Sequence, residues 1–347
     1  MKNLKSWIPL FSCILLAPAA KGLAADAPSI DARHERTIVV FGDSLSDTGN
    51  VFAITGQLEA APYSDLDASR IPDYPYAVSA GRFTNGPTWI EDAAIALGAV
   101  QSVRAALRTT RPGRNYAYGG ARAGVSLVPN DARNLTEQVS TYLADVNGSA
   151  ADDRIVMFIG ANDVADAVRA LAVDPSGATS VDGLLTGIAS INENLDRLVM
   201  AGARDFVIVN VPNVALVPAL NPPLAPAGLG GIATCWTLLF DRGSPLPAGC
   251  PALPAGIPGL DTLVAGLEQQ GMKATLVDAF GFINQIAADP GRYGITNMTD
   301  TCVTPDIPPY QCAHPNRYFF WDGLHPTWVV HALLGVEVLR ELKQNPQ

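Results

Sequence analysis

The chain has 347 residues, of which 48% are hydrophobic and 16% charged, and it carries a formal net charge of −10. Such a composition supports a large buried core and excludes a disordered chain. The acidic balance excludes nucleic acid as a partner and gives no electrostatic pull towards an anionic membrane.

The N-terminus reads as a leader. Lys2 and Lys5 precede an apolar run from Trp7 to Ala20, and Gly22-Leu23-Ala24 supplies small residues at a cleavage spacing. This is the pattern of a secretory signal peptide over residues 1–24, too short and wrongly flanked for a membrane span. Cys13 suggests a lipoprotein signal, but Phe11 fits that signal poorly and the apolar run continues past the cysteine. Cleavage after Ala24 removes three lysines and no acidic residue, which takes the net charge from −10 to −13. No later segment is a long uncharged apolar run, so the expectation is a soluble, monomeric, secreted or periplasmic protein without stable membrane insertion.

Thr37-Ile38-Val39-Val40-Phe41 reads as a buried strand, β-branched and stopped by Gly42. Gly42-Asp43-Ser44-Leu45-Ser46-Asp47-Thr48-Gly49-Asn50 follows at once. A serine in a strand-to-helix turn can be a nucleophile, because unpaired backbone N–H groups there can hold an oxyanion and a base can take the hydroxyl proton. It can equally be an ordinary helix cap. It is not the Gly-x-Ser-x-Gly elbow of the α/β-hydrolases, since Ser46 stands where the last glycine belongs.

Downstream, the patterns predict helices over 87–97, 135–146, 181–201, 260–270 and 328–343, the last with Pro326 and Thr327 suited to its start. Strands are expected over 154–159, 205–210 and, more weakly, 274–277, with a short one at 115–117. Strands alternating with helices imply a parallel sheet covered on both faces, with ligands beyond the carboxyl ends of its strands. Residues 213–259 are crowded with Pro and Gly and show little periodicity, which reads as an ordered insertion near the rim of a site within one domain over 25–347.

Without Cys13, the exported chain keeps Cys235, Cys250, Cys302 and Cys312. Four cysteines allow three pairings. The local one, Cys235 with Cys250 and Cys302 with Cys312, closes two short loops, each worth ~3 kcal/mol in the loop-entropy model. A zinc site is the rival, but neither a Cys-x-x-Cys spacing nor a histidine cluster accompanies the cysteines, and no metal is expected.

A base for Ser44 has to come from four histidines. His34 precedes the first strand, His314 lies in a Cys/Pro-rich loop, and His331 falls inside the last helix, where packing or surface exposure is its expected role. His325 lies in Trp321-Asp322-Gly323-Leu324-His325-Pro326. Asp322, three residues upstream, can fold back to accept from the imidazole and hold its tautomer. A structural turn would explain the same Asp-x-x-His spacing.

Taken together these blocks resemble the GDSL esterases and lipases, also called SGNH hydrolases, across roughly 37–342. Gly42-Asp43-Ser44-Leu45 matches the first block, Asn115-Tyr116-Ala117-Tyr118-Gly119-Gly120-Ala121 the second, Gly160-Ala161-Asn162-Asp163 the third, and Asp322-Gly323-Leu324-His325-Pro326 the last. Gly81-Arg82-Phe83-Thr84-Asn85-Gly86-Pro87 resembles a further stretch shared with plant lipases and secreted bacterial relatives. The resemblance implies a single α/β/α sandwich, flavodoxin-like, with about five parallel strands and no cofactor. It implies that Ser44 attacks an ester, His325 moves its proton, and Asp322 orients His325. The Ser44 and Gly120 N–H groups and the Asn162 amide would hold the oxyanion, with Gly120 preferred to Gly119 on its spacing from Asn115.

Further expectations concern supporting residues. Gly160 and Asp163 shape the turn that aims Asn162, Asp43 caps the following helix, and Asp47 and Asn50 tie the loop down. Trp321, Phe319 and Phe320 pack under the catalytic turn or touch an acyl chain. The chain ends 22 residues after His325, which leaves this reading without the outer-membrane barrel that some relatives carry. The expected substrate is a small-molecule or lipid ester, with carboxyl ester hydrolysis as the leading reaction and phospholipase or lipid acyltransferase chemistry, or carbohydrate O-deacetylation, as the alternatives.

Overall fold

The computed structural model describes residues 37–64, 72–124 and 133–344. The leader over 1–24 with Cys13, and His34, lie outside the described residues. Four strands, β1 (Ile38–Gly42), β2 (Arg154–Phe158), β3 (Asp205–Val209) and β4 (Lys273–Val277), pair in parallel in that order. Phe41, Met157, Ile208 and Leu276 stand in register across the sheet. The β-branched runs of β1, β2 and β3 make nearly continuous buried strands, as a sheet covered on both faces requires, while β4 is half-buried.

Alternation along each strand feeds two cores. Val39, Phe41, Ile155, Met157, Phe206 and Ile208 pack under one helical layer. That layer holds α3 (Leu135–Asp145), α4 (Ala161–Ala170), α5 (Ala178–Met200), α6 (Leu229–Arg242) and α7 (Leu260–Gln269). Ile38, Val40, Val156, Phe158, Val207 and Val209 pack on the other side with residues of α2 (Trp89–Ala96) and α9 (Trp328–Gln344). Two further helices, α1 (Asn50–Thr55) and α8 (Ala279–Ala288), follow β1 and β4. The result is the expected three-layer α/β arrangement.

The fifth strand is reduced to a strand-like edge. The Val40 N–H donates to Arg114 O at 2.9 Å, Tyr116 N–H to Val40 O at 2.7 Å, and Tyr118 N–H to Gly42 O at 3.1 Å. This edge makes a single bridge to β1, Val40 with Asn115, and a second bridge on its outer side, Asn115 with Ala105. Residues 114–118 thus lie outside β1 while β2 lies on its inner side, so the chain changes direction about β1. Such a switch point opens a crevice at the carboxyl end of the strand, and this is where Ser44 emerges.

The reading of 213–259 as irregular up to Leu260 is corrected. Two single turns, Val214–Leu216 and Pro218–Leu220, lead into α6, whose Ala233, Trp236, Leu239 and Phe240 are fully buried core residues. Their helical spacing is hidden by the Pro and Gly on either side. Cys235 of α6 is bonded to Cys250, and Cys302 to Cys312, so the local pairing is the one formed. The second disulfide lies between β5 (Asn297–Thr301) and β6 (Tyr318–Phe320), a small parallel pair preceding α9. Besides α6, two helices, α4 and α8, are not among those expected from the sequence, whereas α1 is the helix expected after the Ser44 turn.

Candidate active site

Ser44 stands in a tight turn at the end of β1. Gly42 is needed there, because a Cβ would approach Phe158 O to 2.5 Å. The turn closes with Ser46 N–H on Asp43 O at 3.1 Å, and Leu45 N–H donates to Asp43 Oδ1 at 3.0 Å. Neither Ser44 nor Asp43 caps α1, which corrects the expectation for Asp43. Asp47 does that work, accepting from the N–H groups of Gly49 (2.7 Å), Asn50 (2.6 Å) and Val51 (3.3 Å). Asn50 ties the loop to the sheet edge by donating to Asn115 O and Ala117 O.

The last block forms a turn between β6 and α9, closed by Trp321 N–H on His325 O at 2.8 Å. His325 Nε2 lies 2.8 Å from Ser44 Oγ, and His325 Nδ1 lies 2.8 Å from Asp322 Oδ2. Asp322 is fully buried, and its Oδ1 accepts from the N–H groups of Leu324 (2.8 Å) and His325 (2.7 Å). The Asp-x-x-His spacing thus becomes a carboxylate folded back on its own turn, with the imidazole bridging it to a serine 281 residues away.

Gly119 and Gly120 differ in what their N–H groups do. Gly119 donates to Asp47 Oδ2 at 3.0 Å, and its missing Cβ leaves room for the Phe83 ring. Gly120 adopts φ 78°, a left-handed backbone that suits glycine. Among the described residues no acceptor takes the Gly120 N–H or the Ser44 N–H. Asn162, in the first turn of α4, gives one amide hydrogen to Ala121 O at 2.9 Å and keeps a second. Asp163 beside it accepts from Ala123 N–H (2.8 Å) and Gly124 N–H (3.0 Å), so it fastens the second block to the third as well as shaping the Asn162 turn. Arg122 adds a two-pronged contact to Asp166, 2.9 Å on each arm.

Burial sets the charges around the turn. It pushes the Asp43 carboxyl up to about 7 and those of Asp47 and Asp163 up to about 6, against the opposing pull of their backbone donors. His331 is buried and pushed down to about 3, so it stays neutral; its Nδ1 accepts from Trp89 N–H at 3.3 Å. That is a packing role. Among the described residues no group of three or more His, Cys, Asp or Glu is arranged to hold a metal ion.

Ser44, Asn162 and His325 share the wall of a cavity of about 580 Å³. The rest of the wall is mainly apolar, with Ala165 and Val168 from α4, Val214, Leu220, Leu229 from α6 and Ile283 from α8. Phe319 and Phe320 also line it, whereas Trp321 is buried away from it against Tyr76.

Two neighbours of the site were not singled out in the sequence. The Phe83 ring lies 5.3 Å from the His325 ring, within a block already noted for its resemblance. That block clamps the histidine turn, since Thr84 Oγ1 donates to Pro326 O (2.8 Å) and Asn85 Oδ1 accepts from Trp328 N–H (2.7 Å). Tyr76 lies outside every block, and its hydroxyl donates to Asp322 Oδ2 at 2.8 Å. No local signal marks it.

Residues 38–338 match the family model of the GDSL-like lipases/acylhydrolases. The chain is 28% identical to a phosphatidylcholine-sterol acyltransferase of Aeromonas hydrophila, over 96% of this chain and 95% of that protein. It is 26% identical to a GDSL esterase/lipase of Arabidopsis thaliana, over 89% of this chain and 85% of the plant protein. It is also 24% identical to a thermolabile hemolysin of Vibrio parahaemolyticus, over 87% of this chain and 62% of that protein. With the family model spanning nearly all of the described fold, the chain belongs to the GDSL-like lipase/acylhydrolase family.

Proposed function

We propose that the protein is an exported serine carboxyl ester hydrolase that works through an acyl-enzyme on Ser44. The observation that carries this reading is the line Asp322–His325–Ser44, two contacts of 2.8 Å each, set in the wall of an apolar cavity. Ser44 Oγ bonds to the ester carbonyl carbon as His325 Nε2 takes its proton, and Asp322 steadies the imidazolium. The carbonyl oxygen, now an oxyanion, meets the Ser44 N–H, the Gly120 N–H and the spare Asn162 amide hydrogen. Collapse expels the alcohol with the proton from His325. Water, activated by the same base, then releases the acid.

The cavity supports an acyl group much larger than acetyl. At roughly 30 Å³ for a water-sized group, its volume of about 580 Å³ holds on the order of twenty such groups. This favours a lipid-like acyl ester over a carbohydrate acetate. It also favours a second reading, transfer of the acyl group from a lipid to an alcohol, which the similarity to a phosphatidylcholine-sterol acyltransferase supports. Release of acid from short esters alone, with phosphatidylcholine untouched, removes the lipid reading. Export is supported by the leader pattern over 1–24 and by the two disulfides, which persist in oxidising compartments.

The direct test is labelling with a fluorophosphonate, which reacts with activated serines. Wild type labels and Ser44→Ala does not. Equal labelling of the two refutes the assignment.

A further inference from the structure

Asp322 Oδ2 has two donors, not one. His325 Nδ1 approaches it at 2.8 Å, and the Tyr76 hydroxyl approaches the same oxygen at 2.8 Å. Tyr76 comes from the stretch between α1 and α2, 246 residues from Asp322, and is completely buried. Its placement leaves no freedom. The ring stands edge-on to Trp321 on one side (5.6 Å) and to Tyr63 on the other (5.7 Å), in a small core that also contains Cys302 and Val303. Its backbone is held between two neighbours, Tyr76 N–H donating to Arg82 O at 2.9 Å and Ala77 N–H to Glu59 O at 2.8 Å. Burial and the adjacent Asp322 hold the phenol well above its ordinary value, so it keeps its proton and remains a donor.

We propose that Tyr76 is a positioning residue of the site: its hydroxyl pins the Asp322 oxygen that orients His325 and limits how strongly that oxygen draws on the imidazole. The proposal rests on the esterase reading above. A carboxylate oxygen that accepts one strong hydrogen bond is a weaker acceptor for a second. With Tyr76 attached, Asp322 Oδ2 still holds the ring of His325, but part of its accepting capacity is taken by the phenol. The Leu324 and His325 N–H groups fix the other oxygen, so Tyr76 is the side-chain contact that sets the strength of this one.

Other titratable groups near the pair do not touch that oxygen. Asp43 and His331 interact with His325 through space, Tyr63 packs its ring against Tyr76, and Glu59 interacts with the phenol electrostatically. They are unchanged by removal of one hydroxyl, so a shift in the acid limb of the rate profile can be assigned to Tyr76.

The test compares Tyr76→Phe with Tyr63→Phe, each losing one hydroxyl from the same small core, on a nitrophenyl ester across pH. For Tyr76→Phe the acid limb of kcat/KM moves to higher pH by about 0.5–1 unit and plateau kcat falls several-fold. Tyr63→Phe leaves the limb in place. An unmoved limb in Tyr76→Phe, or an equal shift in both variants, overturns the proposal. Fluorotyrosine incorporated at position 76 keeps the shape and donates more strongly, so it moves the limb to lower pH; an unmoved or upward-moving limb there overturns the proposal even if Tyr76→Phe folds poorly. Loss of fluorophosphonate labelling is a separate matter. Wild type that fails to label refutes the esterase reading, whereas wild type that labels beside an unmoved limb refutes only the role of Tyr76.

Discussion

Ala165→Phe is expected to convert the enzyme from one that gains with acyl length to one that does not. Ala165 is buried on the cavity-facing side of α4, three residues after Asn162, which puts it ~4.5 Å further along the helix axis. A ring there would stand in the path of an acyl chain whose carbonyl meets the Asn162 amide, as proposed above. Each methylene buried by the substrate is worth about 0.8 kcal/mol, or about fourfold in kcat/KM. From butyrate to octanoate, four methylenes amount to roughly 3 kcal/mol, on the order of a hundredfold. Wild type should therefore climb steeply along a nitrophenyl ester series. The variant should keep acetate and butyrate turnover within a few-fold and lose the climb. Fluorophosphonate titration counts competent sites, and thermal melting checks the overpacking cost of about 1–3 kcal/mol. A wild-type profile that is flat or falling from acetate to octanoate, or a variant with the wild-type slope, refutes the assignment of this cavity to the acyl chain.

Two other outcomes follow from the site. Asn162→Ala removes the amide proposed to hold the oxyanion and should lower kcat by about 10²–10³ with little change in KM, measured as initial rates on butyrate; a loss under threefold would falsify its role. Asp43→Asn bears on stability. Because burial raises Asp43 to about 7, the folded state keeps a proton that the unfolded state has released above its ordinary value of 3.8. Its contribution is complete below that ordinary value and is lost as pH rises towards 7. The unfolding free energy of wild type relative to Asp43→Asn should fall by roughly 2–3 kcal/mol between pH 5 and 7, read from urea midpoints. His331 pulls the other way, since burial lowers it to about 3, but it is common to both proteins and cancels. Parallel curves for the two would remove the buried-proton account.

Legibility in the sequence tracked how local the physics was. Ile38–Gly42, Arg154–Phe158 and Asp205–Val209 were readable because β-branched runs close on a glycine, a proline or a polar break. Asp322 and His325 were readable as a pair because one turn joins them. By contrast, α4 was missed because Asp163 and Asp166 interrupt its apolar face, and both are buried only because Ala123, Gly124 and Arg122 arrive from another segment. In α6 the spacing of Ala233, Trp236 and Phe240 was present but lay between Pro/Gly stretches that mask a single helix. Tyr76 had no signal of any kind, since its partner is 246 residues away.

The amino-acid order alone pointed to the α/β class, to disulfides among the four exported cysteines, to the blocks that carry the family resemblance, and to Ser44, Asp322 and His325 as candidates, each from residue type and short spacing. Gly120 and Asn162 became candidates only through the family resemblance. Only the tertiary structure decided that Asp47 rather than Asp43 caps α1, that Gly119 spends its N–H on Asp47 while Gly120 does not, and that Phe319 and Phe320 line a cavity while Trp321 packs away from it. The reason is geometric. A hydrogen bond needs its partners within about 3 Å, and a cavity needs several distant segments to stop short of one another. Neither condition is written in any one stretch of chain.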